Sequence, residues 1–106
     1  MSKDYLGELE ELILTVVGIL GDDAYGYSVV TEIKTQLNRS VSLPSAHVTL
    51  YRLQDKGYLK STVGGASAKR GGRRKRIFRV TASGVAVLKS MKEDRMKLWN
   101  LTPQLR

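Results

Sequence analysis

The chain has 106 residues, 42% of them hydrophobic, with 18 lysines and arginines against 10 acidic residues and a formal charge of +8. That length supports one domain with a modest core and is too short for two. The absence of cysteine excludes disulfides, a thiolate nucleophile and cysteine-held zinc. The longest apolar run, Leu12 to Leu20, is broken by Thr15 and Gly18 and falls far short of the about 20 residues that span a bilayer.

Leu6, Leu9, Ile13, Val16, Val17 and Leu20 recur at helical spacing, with Glu8, Glu10 and Glu11 near the positive end of the macrodipole. The spacing predicts a helix over 6–20, stopped by Gly21 and the Asp22–Asp23 pair. Acidic residues this early, Asp4 among them, argue against a secretory leader, so the expected location is the cytoplasm. Asp23 is the expected cap of a second helix over 24–38, with Tyr27, Val30, Thr31, Ile33 and Leu37 facing inward. Gly26 within it is expected to admit another helix closely.

Ser42 as N-cap, Pro44 in the first turn and Gly57 as a stop predict a third helix over 43–56. "YLKSTV" and "KRIFRV" flank a Gly-, Ser- and Arg-rich connection and predict a β-hairpin with a long tip. Thr81 caps a last helix over 82–99. The order predicts a mainly α chain with a β-hairpin wing. A winged helix-turn-helix over 1–81 is followed by a C-terminal dimerisation helix over 82–106, part of the same compact unit.

Charge singles out the wing. Seven basic residues, Lys69, Arg70, Arg73, Arg74, Lys75, Arg76 and Arg79, supply most of the excess, and the remaining eleven nearly balance the ten acids. A segment so loaded, and tethered at both ends, is expected to meet a polyanion. Arg70, Arg73, Arg74, Lys75 and Arg76 are the expected phosphate contacts, with glycines letting the tip adapt to a groove.

On the third helix Leu43, Ala46, Leu50 and Leu53 fall within roughly an 80° arc that should face the core. Ser45, Val48, Tyr51 and Arg52 lie away from it. Double-stranded DNA is the expected partner, because a helix fits its major groove. Arg52 suits guanine, Ser45 either base edge and Val48 a thymine methyl, while Tyr51 is better placed for a phosphate. A plain amphipathic surface helix is the alternative, and the adjoining basic hairpin argues against it.

His47 has no carboxylate at helical spacing and is expected to be a half-buried packing residue. Glu8, Glu10 and Glu11 have no paired ligand set and read as a solvated face rather than a metal site. No nucleophile–base pair, phosphate loop or catalytic acid pair is present, so no enzyme and no cofactor are expected. On the last helix Val85, Val87, Leu88, Met91, Met96, Leu98 and Trp99 spread over roughly 180°, wider than one small core covers. Leu88, Met91, Met96 and Trp99 are therefore the expected contacts of a homodimer.

"LGELEELIL" followed by "DDAYGYSVVTEI", then "TLYRLQDKGYL" and "KRGGRRKRIFRVTASG", resembles the PadR family of transcriptional regulators over nearly the whole chain. His47 stands where many members have tyrosine, and Ile77 replaces the first wing aromatic. The resemblance implies a homodimeric repressor on inverted-repeat operators, responsive in many members to small aromatic compounds. In some drug-sensing members a tryptophan of this helix stacks planar compounds at the dimer centre, which makes Trp99 a candidate ligand contact, with a plain interface anchor as the preferred reading. The competing function is a sequence-indifferent architectural or RNA-binding protein.

Overall fold

The computed structural model describes residues 5–64 and 75–105. Its elements run α1 (Glu8–Leu20), a 3-10 turn (Gly21–Asp23), α2 (Gly26–Leu37), α3 (Leu43–Asp55), β1 (Leu59–Val63), β2 (Arg76–Val80) and α4 (Ala82–Asn100), with a short 3-10 turn at Pro103–Leu105. This is the expected three helices, hairpin and long helix.

The Gly7 N–H donates to Glu10 Oε1 at 3.0 Å, which fixes the first turn of α1. Ile13, Leu14, Val16 and Val17 are buried along its inner side. The start of α2 differs from expectation. Asp23 lies in the preceding 3-10 turn, and Tyr25 is the cap. Ser28 does the capping work from inside the helix, because its Oγ accepts from the Tyr25 N–H and donates to the Asp23 carbonyl. The buried side of α2 is correspondingly rotated. Val29 and Ile33 enter the core and Val30 is partly buried, whereas Tyr27, Thr31 and Leu37 face outward.

Helix α3 begins as expected, with the Ser42 hydroxyl accepting from the Ser45 N–H and Pro44 in the first turn. Ala46, Leu50 and Leu53 are fully buried, and Thr49 joins them. Leu43 does not: it is 40% exposed. It opens onto a cleft beside Tyr25, Gly26 and Tyr27 of the α2 start, and Thr49 takes a buried place instead.

β1 and β2 pair antiparallel, with Leu59 opposite Val80 and Ser61 opposite Phe78. Opposed residues share a face, so Leu59, Ser61, Arg76, Phe78 and Val80 lie towards the helices, and Lys60, Thr62, Ile77 and Arg79 lie outside. Phe78, 2% exposed, is the hairpin's anchor, and its N–H donates to the Ala24 carbonyl at 2.8 Å. That bond fastens the wing to the turn before α2.

Thr81 is the expected cap of α4; its hydroxyl accepts from the Gly84 N–H at 3.1 Å and donates to the Gly57 carbonyl at 2.7 Å. Gly84 is needed there, because a methyl group on it would come within 2.4 Å of the Tyr58 carbonyl oxygen. Val87 and Met91 then complete the core, and beyond Met91 no described residue of α4 is buried. No single helix among the described residues is long and apolar enough to cross a membrane.

Candidate nucleic-acid interface

Burying Ala46, Thr49, Leu50 and Leu53 leaves the opposite side of α3 to solvent. Ser45, Val48 and Arg52 all lie there and line one shallow depression with Leu9 and Pro44. The structure thus brings the three expected base-reading residues onto one open face.

The far end of α3 is held by charge. Lys56 Nζ lies 2.8 Å and 3.1 Å from the two oxygens of Glu10. The acidic face expected to be solvated is therefore divided. Glu10 is 8% exposed, Glu11 pairs with Arg95 at 2.8 Å, and Glu8 pairs in the open with Arg39 at 3.0 Å. Burial pushes the Glu10 carboxyl up. Hydrogen bonds from Lys56 and the Gly7 N–H, with the charges of Lys56 and Arg52, more than offset it and leave the group below its ordinary value. Among the described residues no cluster of three or more histidines and acids could hold a metal.

Tyr51 is 43% exposed, but its ring is committed: it meets Phe78 edge-on, 5.7 Å between centroids at 80°. His47 departs from the half-buried packing role. It belongs to the exposed residues of α3, with its imidazole laid over Gly26. A methyl group on Gly26 would come within 2.2 Å of His47 Nε2, so this glycine admits α3 to the first turn of α2 as expected.

Among the expected wing contacts, Arg70, Arg73 and Arg74 lie outside the described residues. Lys75 and Arg76, at the base of the wing, both turn towards the helices. Lys75 Nζ sits 4.2 Å from the centroid of the Tyr25 ring, a cation–π distance. Arg76 donates to Ser61 Oγ at 3.0 Å, and Ser61 in turn donates to Gln54 of α3. This relay joins the hairpin to α3, and the residue pattern alone did not reveal it. Arg79, on the outer face, pairs with Asp22 at 2.5 Å instead.

The expected dimer contacts separate into two groups. Met91 is 3% exposed and belongs to the chain's own core, with Leu88 partly buried against it. A wheel cannot tell burial within a chain from burial between chains, and Met91 leaves the surface available to a partner. Met96 and Trp99 remain exposed, with Leu98 and Leu101 beside them.

Sequence reasoning missed Tyr25 and Tyr27 as lining residues of this side of the molecule. Their signal was the "AYGY" run, which served only as a marker of where α2 begins.

Comparison with solved structures supports the same architecture. A PadR family regulator from Clostridium difficile superposes with a TM-score of 0.75 at 19% identity, over 93% of this chain and 98% of that one. A transcriptional regulator from Clostridium thermocellum gives 0.68 at 25% identity, over 92% and 84%. PadR of Bacillus subtilis in complex with operator DNA gives 0.66 at 20% identity, over 78% of this chain and 46% of that one. No curated protein matches the sequence. The family of PadR-like transcriptional regulators, which are not enzymes, matches residues 13–90. With that match spanning most of the chain and the winged helix in place, this protein belongs to the PadR-like family.

Proposed function

We propose that the protein is a transcriptional repressor that binds an inverted-repeat operator as a homodimer. In this reading Ser45, Val48 and Arg52 of α3 read base edges in the major groove. Arg70, Arg73, Arg74, Lys75 and Arg76 hold phosphates, and Tyr51 supports them at the junction. The observation that carries it is the Gln54–Ser61–Arg76 relay. It couples the polar face of α3 to the base of a hairpin whose connection holds most of the chain's excess charge. A relative of the same fold has been seen on operator DNA, which supports DNA as the polyanion.

Dimerisation rests on the apolar second half of α4, where Met96 and Trp99 are exposed. Two α3 helices about 34–36 Å apart then fit successive major grooves on one side of the duplex. Trp99 at that seam is also where a small planar aromatic effector would act, by changing the spacing of the two helices. Cytoplasmic location follows from this role.

The test is selection of duplexes from a random pool, followed by affinity measurements on the selected sequence and on mixed-sequence DNA. Enrichment of an inverted repeat supports the reading. Equal affinity for both duplexes would replace it with the sequence-indifferent, architectural one. Changing Arg73, Arg74 and Arg76 to glutamine should weaken both duplexes by similar factors. It should also flatten log K against log salt by roughly 0.9 for each phosphate no longer neutralised.

A further inference from the structure

We infer that Lys56 is a positioning residue for Arg52: by holding the buried Glu10 carboxylate it keeps the Arg52 guanidinium on the open face of α3. This rests on the base-reading role proposed for Arg52 and adds to it a residue that touches no base. Lys56 is the C-cap of α3, and its N–H donates to the Arg52 carbonyl at 3.1 Å. The two side chains are therefore one helical turn apart, at neighbouring positions of one face.

Glu10 needs a cation. It is 8% exposed, and a carboxylate buried without a partner is strongly unfavourable. Lys56 Nζ serves both of its oxygens, at 2.8 and 3.1 Å, and the Gly7 N–H donates to Oε1 at 3.0 Å. These hydrogen bonds leave the carboxylate little room for a second cation.

Arg52 is the cation best placed to replace Lys56. It lines one depression with Leu9, the residue before Glu10, and its charge already acts on the Glu10 carboxyl. The other cations beside α1, Arg39 and Arg95, are held by Glu8 and Glu11. A guanidinium also grips a carboxylate through two parallel N–H groups, which an ammonium cannot do. With Lys56 in place Arg52 stays outside. It is exposed beside Ser45 and Val48 and makes no hydrogen bond or ion pair among the described residues. Without Lys56 the same guanidinium is drawn to Glu10 and withdrawn from the groove.

A pair that only fastened α3 to α1 would have the same consequence for DNA when broken from either end. A lysine that guards Arg52 makes the two ends differ. Glu10→Gln removes the competing charge and leaves Arg52 free, while Lys56, whose side chain is 36% exposed, turns to water. Lys56→Met leaves the carboxylate in place, with Arg52 as its partner.

The test uses the full chain and two fluorescent duplexes, the sequence selected from the random pool and mixed-sequence DNA, well below the melting temperature of every variant. The readout is the ratio of the two affinities, because loss of the Lys56 charge by itself acts on both duplexes alike. Lys56→Met should lower that ratio about tenfold, close to the effect of Arg52→Ala. Glu10→Gln should keep the wild-type ratio, and Glu10→Gln/Lys56→Met should recover it, although both variants melt earlier. Lys56→Met added to Arg52→Ala should lower the ratio no further. The inference is overturned if Lys56→Met keeps the wild-type ratio, if Glu10→Gln lowers it as much as Lys56→Met does, or if the Glu10→Gln/Lys56→Met variant fails to recover it. An Arg52→Ala/Lys56→Met ratio below that of Arg52→Ala overturns it too. A wild-type ratio near one, or an Arg52→Ala variant that keeps the ratio, would overturn the base-reading role and this inference with it.

Discussion

Helices α3 and α4 pack against the same core and leave opposite kinds of surface outside it. α3 buries Ala46, Thr49, Leu50 and Leu53 and presents Ser45, Val48 and Arg52. α4 buries Val87 and Met91 in its first half and presents Met96, Leu98 and Trp99 in its second. Both are amphipathic along part of their length, and the polarity of the remainder distinguishes them. A polar, cationic remainder beside a basic hairpin suits a charged polymer in water. An apolar remainder is unfavourable in water by about 25 cal/mol per Å² left exposed, and the proposed dimer would cover it with a second copy of the same helix.

The sharpest way to break this contrast is to remove the outer half of α4. Deleting residues 92–106, or changing Trp99 to alanine, should shift the protein from dimer to monomer in sedimentation. Operator affinity should fall by about 10²–10⁴, because two linked half-site contacts become one. The far-UV spectrum of Trp99→Ala should change little, and that of the truncated chain should lose only the contribution of the removed end of α4. A truncated chain that stays dimeric with full affinity would put the interface elsewhere, most directly on α1.

Met91 tests the other half of the same helix. Met91→Ala should lower folding stability by about 2–5 kcal/mol, seen as an earlier urea midpoint, because a buried side chain leaves a cavity. Its effect on the dimer should be small once the chain is folded. If instead it dissociates the dimer without destabilising the monomer, the division of α4 is wrong.

On α3, Arg52→Ala should cost about 1–3 kcal/mol on the selected duplex and less on mixed-sequence DNA. Equal losses on the two would make Arg52 a phosphate contact and remove the distinction between reading and holding.

The two helices are also tied to α1 differently, through Glu10–Lys56 for α3 and Glu11–Arg95 for α4. Glu10 titrates below its ordinary value in the folded protein. Its contribution is therefore present above the unfolded carboxylate range and is lost as pH falls through the lowered value. Stability profiles of the wild type and Glu10→Gln should lie apart at neutral pH and converge in acid; parallel profiles would deny the pair its role. Arg95→Ala, which breaks a pair whose arginine is mostly exposed, should change stability by at most about 1 kcal/mol. A larger loss would mean that α4 depends on this ion pair rather than on Val87 and Met91.

Most of the fold was legible in the sequence because its signals are local. Ser42 and Thr81 cap helices with side chains that need only the next few residues. The hairpin follows from two β-prone runs, and its register is set by one anchor, Phe78. Local signals failed where a neighbour's reach mattered. Leu43 lies within the apolar arc of α3 yet opens onto a cleft beside Tyr25 and Tyr27, while Leu50 is fully covered. Asp23 is a good cap by type, but Ser28, from inside the helix, supplies the capping bonds at Tyr25.

The candidate site divides along the same line. Ser45, Val48 and Arg52 share a helix, so periodicity alone puts them on one face. The concentration of cations around position 73 is likewise a property of the chain and needs no fold to exist. Tyr25, His47 and Lys75 belong to three elements far apart in sequence, and no spacing rule connects them. They converge because Gly26 lets α3 approach α2, and because the Phe78 N–H binds the Ala24 carbonyl and draws the hairpin base over the same turn. Periodicity determines which face of each helix is buried. Close packing between elements decides which side chains, left outside, end up beside one another.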